Sequence, residues 1–306
     1  MAGLNGLRVW VPGGTGLLGT PLVRRLRESG AGVRADGAAT CDITRAEQVG
    51  TVAEEFAPHV VINGAAFTQV DACESREAEA MAVNADGAGH VAATSRRIGA
   101  RLIHISTDYV FADPSDSPGD ARPHRARRVD DVTGPPEALC AYGRTKLAGE
   151  QRVLQAHPEA LIVRTAWLYG HDGPGFPQAI LRQARAGGPL RVVNDQTGSP
   201  TYSEDLADAL VRLVVAGVDH GHRVLHVTNA GACTWWLFAR TVIDLAGLEA
   251  TVEPITSAQA GRAARRPSWS VLDNSVYQQI TAHRMRDWRD AVVAFMKREA
   301  DARRPV

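Results

Sequence analysis

The sequence predicts an α/β fold, in which a Rossmann-type doubly wound parallel sheet is followed by a smaller C-terminal α/β lobe. Segments rich in β-branched residues alternate with amphipathic helical segments through the first 170 residues, which is the pattern of βαβ units. A glycine-rich turn joins the first strand candidate to the first helix candidate. After Gly170 the pattern loosens into mixed short elements. We therefore expect a first domain over residues 1–170 and a second over 171–306.

The strand candidates of the first domain are short and apolar, and the segments between them are long enough for right-handed crossovers on a parallel sheet. The predicted strands are Leu7–Val11, Gly32–Ala35, His59–Asn63, Arg101–Ser106 and Ala160–Ala166. The predicted helices are Leu17–Glu28, Arg45–Phe56, Ala78–Ile98 and Ala141–His157.

The C-terminal lobe is predicted to mix helices with short strands. The predicted helices are Gln178–Ala186, Ser203–Val215, Thr234–Ala246 and Arg286–Ala302. The predicted strands are Arg191–Val193, Arg223–Val227 and Thr251–Ile255. We expect the chain to return to the first domain near residues 222–228. The connection from Ala112 to Leu139 carries five prolines, and so long a stretch without regular structure is usually functional or mobile.

Composition narrows the class of protein. The 306 residues are 44% hydrophobic and 22% charged, and no apolar run approaches the roughly 20 residues of a membrane span, so we expect no membrane partner. The 34 acidic residues balance 34 basic ones without a basic block, which disfavours nucleic acid as a partner. The four cysteines form no C-x-x-C pair, so we expect no metal site. The N-terminal residues do not resemble a secretory segment, which predicts a cytoplasmic location.

The first strand candidate runs into Gly13-Gly14-Thr15-Gly16-Leu17-Leu18-Gly19. Two spacings fit this turn, G-x-G-x-x-G from Gly14 and G-x-x-G-x-x-G from Gly13, and both include Gly16 and Gly19. Either spacing lets the backbone approach a pyrophosphate, whose charge then meets free N–H groups at a helix N-terminus. The turn therefore predicts dinucleotide binding, with a plain tight turn as the alternative.

Charged residues after the second strand bear on the choice of dinucleotide. Asp36 is placed to accept hydrogen bonds from an adenosine ribose, which favours NADH. Arg34 beside it suits the 2′-phosphate of NADPH, so either cofactor is expected. Both residues equally fit solvated charges at a strand end. Asp42 either caps the helix that begins near Arg45 or contacts the adenine.

Tyr142 and Lys146 lie four residues apart at the start of a predicted helix, and hence on one face. The chain has five tyrosines and two lysines, so this spacing is improbable by chance. A phenol with a pKa of about 10 becomes a useful acid–base group when a nearby ammonium favours the phenolate. An exposed pair on an ordinary helix is the alternative. Thr107 ends a buried strand, where it either hydrogen-bonds a substrate carbonyl or merely starts a turn.

Together these residues resemble the extended short-chain dehydrogenase/reductase superfamily and, within it, the dTDP-4-dehydrorhamnose reductase family. The similarity covers nearly the whole chain, and its most specific stretches are Ser-Thr-Asp-Tyr-Val-Phe at Ser106–Phe111 and Gly-Ser-Pro-Thr at Gly198–Thr201. Further matching stretches are Gly13–Gly19, Asn63–Thr68, Val70-Asp71, Tyr142–Glu150, Arg164–Gly170, Asn194–Tyr202, Arg266-Pro267 and Leu272–Asn274.

The resemblance implies roles for individual residues. It implies a catalytic group of Thr107, Tyr142 and Lys146. The cofactor contacts that it implies are Gly13, Gly16, Leu17, Leu18, Gly19, Asp36, Asp42, Ile43, Ala65, Ala66 and Phe67. The sugar contacts that it implies are Tyr109, Val110 and Trp167. From the sequence alone, Trp167 equally fits a core aromatic residue after a buried strand.

The resemblance also implies an activity. It implies reduction, by NADPH or NADH, of the C4 ketone of a nucleotide-linked 4-keto-6-deoxyhexose, with dTDP as the expected nucleotide, in rhamnose or secondary-metabolite deoxysugar biosynthesis. The C-terminal lobe would bind the sugar nucleotide, and a homodimer is compatible with the family. The alternatives are a catalytically silent regulatory subunit with the same fold, or a sugar-nucleotide epimerase or dehydratase. Tyr109 stands where the related dehydratases carry an acid, which disfavours dehydration.

Overall fold

A computed structural model describes residues 3–113, 125–217 and 221–301. Strands and helices are numbered below in chain order. The strands are β1 (Arg8–Pro12), β2 (Gly32–Asp36), β3 (Val60–Asn63), β4 (Arg101–Thr107), β5 (Leu161–Thr165), β6 (Leu168–Tyr169), β7 (Leu190–Val193), β8 (Thr197–Gly198), β9 (Thr201–Tyr202), β10 (Val224–His226), β11 (Cys233–Thr234) and β12 (Val252–Ile255). The helices are α1 (Gly19–Glu28), α2 (Ala46–Phe56), α3 (Val70–Ser75), α4 (Glu77–Met81), α5 (Ala88–Arg97), α6 (Ala141–Ala156), α7 (Phe176–Arg185), α8 (Ser203–Ala216), α9 (Trp235–Leu245), α10 (Ser257–Ala260), α11 (Ser275–Thr281) and α12 (Trp288–Asp301).

Six parallel strands form the central sheet, in the order β2-β1-β3-β4-β5-β10. The predicted doubly wound parallel sheet is therefore confirmed. The strand order reverses between β1 and β3, and the crevice at such a reversal is where open α/β sheets bind ligands. β10 adds the far edge strand, with Leu225 opposite Val163 of β5.

Helices cover both faces of this sheet, because alternate side chains of each strand point in opposite directions. Val9 and Val11 of β1 pack with α1, α8 and α11, whereas Trp10 between them packs with α2, α5 and α6. All three of these β1 side chains are buried. Both faces therefore contribute to the core, as a doubly wound fold requires.

A separate hydrophobic cluster forms the centre of the C-terminal lobe. It joins α7, α9 and α12 to β7 and β12, which pair in parallel. Its largest buried side chains include Phe238, Trp288 and Phe295. Within the described residues, no helix has the combined length and apolar character that a membrane crossing requires.

The predicted helix Ala78–Ile98 differs in the structure. It comprises the end of α4, a π-helical turn over Ala82–Gly87 and then α5. The wider turn presents the buried Asn84 side chain, which accepts from the Phe67 N–H at 2.8 Å and donates to Thr145 Oγ1 at 3.0 Å. The π-helical turn therefore allows Asn84 to link the segment after β3 to α6. The periodicity of apolar residues along a helix does not predict such a long-range contact.

The long connection between β4 and α6 is only partly described, because residues 114–124 lie outside the described residues. Its mobility therefore stays a prediction. Its second half contains a 3-10 turn over Pro136–Ala138. The Arg127 N–H donates to the Val271 carbonyl at 2.7 Å, and the Gly134 N–H donates to the Val110 carbonyl at 2.9 Å. The first bond holds that half against the C-terminal segment, and the second holds it against the turn after β4.

Candidate active site

A cleft of about 660 Å³ lies at the carboxyl ends of the central strands. The residues that immediately follow β1 to β5 all contribute to its lining: Gly13, Gly37, Gly64, Asp108 and Ala166. The C-terminal lobe supplies Trp235 and Arg266 on the other side. The cleft therefore lies where this topology is expected to bind its ligands.

The glycine turn forms one end of the cleft, and its glycines serve different purposes. Gly13 has φ +78°, and a Cβ atom there would lie 2.6 Å from the Ala65 nitrogen. A Cβ at Gly14 or Gly19 would also overlap neighbouring protein atoms. Gly16 differs, because its Cβ would come no closer than 3.4 Å to the protein and would extend the cleft lining. Gly16 therefore keeps space open for a ligand.

This turn fits the pyrophosphate of a dinucleotide. Helix α1 begins at Gly19, so its N-terminal end lies at the glycine turn. The Thr20 and Leu22 N–H groups already donate to the Gly16 and Leu18 carbonyls, which fixes the shape of this turn. The same helix end carries the positive pole of the helix dipole, and the first turn of α1 contains no acidic residue to neutralise it. Leu17 and Leu18 line the cleft beside this end. Of the two spacings, the one from Gly13 contains only cleft-lining glycines.

Asp42 and Ile43 line the cleft next to the glycine turn. The Asp42 carboxylate accepts from the Thr44 N–H at 3.0 Å and from the Thr44 hydroxyl at 2.7 Å. These hydrogen bonds lower the pKa of Asp42. Its carboxylate thus shapes the turn before α2 but does not cap that helix, whose N-cap residue is Arg45 and which has no side-chain capping bond. The residue also faces the cleft, so the adenine contact stays a prediction.

Asp36 is placed differently from the sequence expectation. Its side chain is 5% exposed and does not line the cleft. Its Oδ2 accepts from Trp10 Nε1 at 2.9 Å and from Arg34 Nε at 3.1 Å. Trp10 is buried on the neighbouring strand β1, so its N–H requires an acceptor. Asp36 therefore pairs with Trp10 and Arg34, and neither charge is a solvated strand end.

Ala65 and Ala66 line the cleft, but two other predicted contacts have side chains elsewhere. The Phe67 ring packs under the Arg76 guanidinium, 5.0 Å from its Cζ. Val110 is fully buried in a cluster with Phe111, because the turn after β4 directs it into the core. The structure therefore does not bring the Phe67 and Val110 side chains into the cleft.

Thr107, Tyr142 and Lys146 all line the cleft, on the far side from the glycine turn. The Thr107 hydroxyl donates to Asp108 Oδ1 at 3.0 Å and accepts from the Tyr109 N–H at 3.3 Å. The Tyr142 ring meets the Tyr109 ring edge to face, with centroids 5.4 Å apart. Lys146 is buried, and its Nζ donates to the Ile105 carbonyl at 2.7 Å.

The start of α6 fixes the position of Tyr142. The Ala141 N–H donates to Glu74 Oε1 at 2.9 Å, which satisfies one of the free donors of the helix end. A Cβ at Gly143 would overlap the Tyr109 carbonyl oxygen, so this glycine lets α6 approach the turn after β4. Tyr142 and Tyr109 are thereby held side by side.

Burial shifts the pKa of each acid–base group in this part of the cleft. It raises the pKa of Tyr142 above its ordinary value, and the nearby Thr107 hydroxyl partly opposes this effect. It lowers the pKa of Lys146 to about 8, against the attraction of Glu150. It raises the pKa of Asp108 to about 6, against the hydrogen bond from Thr107. At neutral pH, Tyr142 thus keeps its proton, which a proton donor requires.

The structure adds two cleft residues that the sequence interpretation did not assign. Trp235 stacks on Trp167, with centroids 3.6 Å apart, and both line the cleft. Arg266 also lines it, and its guanidinium donates to both carboxylate oxygens of Asp71, at 3.0 and 2.8 Å. Arg266-Pro267 lies in a stretch that carried the family resemblance, which was the available signal. Trp235 follows the helix cap Thr234, a pattern that by itself indicates only a helix start.

Comparison with known proteins identifies the family. The family model described as "RmlD substrate binding domain" matches residues 7–300. The chain belongs to this family. Among similar proteins, a dTDP-4-dehydrorhamnose reductase of Mycolicibacterium smegmatis is 42% identical over 290 residues, covering 93% of this chain and 84% of the relative. A probable dTDP-4,6-dihydroxy-2-methyloxan-3-one 4-ketoreductase of Streptomyces antibioticus is also 42% identical, over 94% of this chain and 93% of its own length.

A solved structure shares the fold closely. The dTDP-4-dehydrorhamnose reductase of Bacillus anthracis, determined in complex with NADP, matches with a TM-score of 0.87 and 32% identity. The match covers 95% of this chain and 99% of that chain. The predicted family and fold are therefore confirmed.

Proposed function

We propose that this protein is an NAD(P)H-dependent sugar-nucleotide 4-ketoreductase that reduces the C4 ketone of a dTDP-linked 4-keto-6-deoxyhexose. The observation that carries the proposal is that Thr107, Tyr142 and Lys146 line the same cleft as the glycine turn. The names of the two 42% identical relatives support the substrate class. The NADP complex of the Bacillus anthracis relative supports the cofactor class.

The cofactor would lie along the strand ends. The glycine turn with Leu17 and Leu18 would hold the pyrophosphate, and Asp42 with Ile43 would meet the adenosine. Ala65, Ala66 and Lys146 would contact the nicotinamide half. When bound, the nicotinamide supplies a hydride to the ketone carbon.

The residues of the chain supply the proton and hold the substrate. Tyr142 donates its phenolic proton to the ketone oxygen, and the Lys146 ammonium stabilises the phenolate that is left. Thr107, whose hydroxyl donates to Asp108 in the free protein, would orient the ketone oxygen. Tyr109, Trp167 and Trp235 offer aromatic surfaces to the sugar nucleotide, and Arg266 suits its diphosphate.

A keto-sugar assay tests this function. The purified protein is incubated with NADPH or NADH and dTDP-4-keto-6-deoxyglucose, with and without a 3,5-epimerase, while nicotinamide absorbance is followed. Consumption only with the epimerase indicates the rhamnose route, and consumption without it indicates another deoxysugar. No consumption with any keto-sugar nucleotide contradicts the proposal and favours the silent subunit. A homodimer and a cytoplasmic location belong to the same proposal, and light scattering of the purified protein tests the first.

A further inference from the structure

A line of buried polar side chains runs beneath the cleft from the end of β3 to Lys146. Asn63, His104 and Lys146 are each at most 2% exposed. Asn63 Nδ2 lies 3.2 Å from His104 Nδ1, and His104 Nε2 lies 3.5 Å from Lys146 Nζ. Buried polar groups of this kind are costly unless their hydrogen bonds are satisfied, so the direction of each bond matters.

The main chain fixes the direction of these bonds. The Ala65 N–H donates to Asn63 Oδ1 at 3.1 Å, which identifies that side-chain atom as the oxygen. The Asn63 amide nitrogen therefore faces His104, and it can only donate. His104 Nδ1 must accept this bond, so the neutral imidazole carries its proton on Nε2. That N–H points toward the Lys146 amine.

This arrangement acts on the charge of Lys146. An ammonium group has no lone pair, so an Nε2–H group facing it is repelled, whereas a neutral amine can accept from it. His104 itself stays neutral, because burial and the Lys146 ammonium lower its pKa well below the usual range.

The other charged groups around Lys146 are accounted for. Glu150, one turn further along α6, favours the ammonium. Its carboxylate is also bound by Arg164 of β5, at 2.8 and 2.7 Å, and by the Ser106 hydroxyl of β4 at 2.6 Å. Tyr142 on α6, and Asp108 and Tyr109 after β4, are titratable groups that also line this side of the cleft. Of these groups, all of which belong to the described residues, only His104 directs an N–H toward the Lys146 ammonium.

We propose that His104, locked by Asn63 in its Nε2-protonated form, is a positioning residue that promotes loss of the Lys146 proton at mildly alkaline pH. The inference rests on the proposed function, in which the Lys146 ammonium stabilises the Tyr142 phenolate. The hydrogen bonds from Ala65 to Asn63 and from Asn63 to His104 therefore link the loop on the cofactor side of the cleft to the protonation state of Lys146.

The tautomer is testable in the unaltered protein. Nitrogen-15 NMR of the imidazole groups distinguishes a protonated Nε2 from a protonated Nδ1, and His104→Gln assigns the His104 signals. We expect His104 to be neutral and protonated on Nε2 from pH 6 to 9. A proton on Nδ1 would overturn the proposal, whatever the activity of the protein.

The charge of Lys146 can be read directly, because the chain has only two lysines. In protein labelled with carbon-13 at lysine Cε, Lys297→Arg identifies the Lys146 signal, whose titration gives its midpoint. His104→Gln can turn an amide oxygen toward the ammonium, so we expect the midpoint to rise by about one pH unit. In Asn63→Asp the carboxylate can only accept, so His104 would donate from Nδ1 instead, and the Lys146 midpoint should rise as well. The matched control His157→Gln replaces a buried histidine that instead bonds the Ala100 carbonyl, and it should leave the midpoint unchanged.

An unchanged Lys146 midpoint in either folded variant, His104→Gln or Asn63→Asp, would overturn the proposal. If the 4-ketoreductase activity is present, the alkaline limb of kcat/KM should move with the NMR midpoint while KM stays nearly constant. A shifted midpoint in a protein that reduces no keto sugar would instead contradict the proposed function and leave the role of His104 standing.

Discussion

Trp167 and Trp235 stack face to face on the C-terminal side of the cleft, with centroids 3.6 Å apart and planes 7° from parallel. Trp167 adopts φ +48°, a conformation that non-glycine residues rarely take. A Cβ at Gly198 would lie within 2.7 Å of the Trp167 indole, so glycine is required for that ring to occupy its place. Residues from three separate segments thus build one aromatic surface.

Removal of one member of this stack should weaken binding of the sugar nucleotide. Aromatic pairs contribute about 0.5–1.5 kcal/mol beyond their buried area, so Trp235→Ala should raise the KM for the keto sugar about 3- to 10-fold. The Kd of NADPH, measured by fluorescence titration, should stay constant. Trp236→Ala is the matched control, because its indole instead donates to the Val252 carbonyl. Equal effects of the two substitutions would contradict a specific role for Trp235.

Two glycines of the turn should respond differently to alanine. Gly16→Ala should fold with a Tm near that of the wild type and bind NADPH at least 10-fold more weakly, because the added methyl group enters the cleft rather than the core. Gly13→Ala should unfold at a markedly lower temperature, because φ +78° and the nearby Ala65 nitrogen oppose any side chain. Thermal melts and cofactor titrations of both variants check this contrast.

Tyr142→Phe should separate chemistry from cofactor binding. Loss of a general acid usually lowers turnover by about 10²–10⁴, while the cofactor Kd should change little. Tyr277→Phe removes a distant phenol that bonds His283 and serves as the control. Near-normal turnover in Tyr142→Phe would rule out this residue as the proton donor.

Asp108 should make the folded protein less stable as the pH rises. Its pKa is raised to about 6 by burial, so the folded state favours the protonated acid, and that preference is lost as pH rises through about 6. Between pH 4 and pH 8, the unfolding free energy of Asp108→Asn should therefore fall by about 1–3 kcal/mol less than that of the wild type. Urea unfolding at both pH values measures this difference. An identical fall in the variant would mean that Asp108 ionises normally.

Asp36→Ala should lower stability and leave the preference between NADH and NADPH unchanged. The substitution deprives the buried Trp10 N–H of its acceptor, which costs about 1–3 kcal/mol. Unfolding curves and parallel titrations with the two cofactors check both parts. A clear shift toward NADPH would restore Asp36 as a ribose contact.

The parts of the site that the sequence predicted depend on local geometry. The glycine turn follows a strand and precedes a helix, and Tyr142 and Lys146 share one helical face, so short-range periodicity suffices for both. The strand positions of the central sheet were predicted for the same reason. The domain boundary at Gly170 stays a prediction.

The parts that the sequence did not predict depend on distant partners. Asp36 turns to Trp10 on the neighbouring strand, which a pattern of charges at a strand end does not reveal. Arg266 reaches Asp71 across 195 residues of sequence. The lock on His104 likewise requires the pairing of β3 with β4, which places Asn63 opposite His104.

Helices α8 and α11 cover one face of the central sheet, although both follow residue 200 in the chain, and β10 supplies its edge strand. In a chimaera joined once, at residue 170, the donor's helices would therefore replace α8 and α11 against that face of the recipient sheet. Transfer of sugar specificity between relatives by recombination requires several junctions instead. The donor would contribute the segments around α7, α9 and α12, while α8, β10 and α11 stay with the recipient sheet that they pack against.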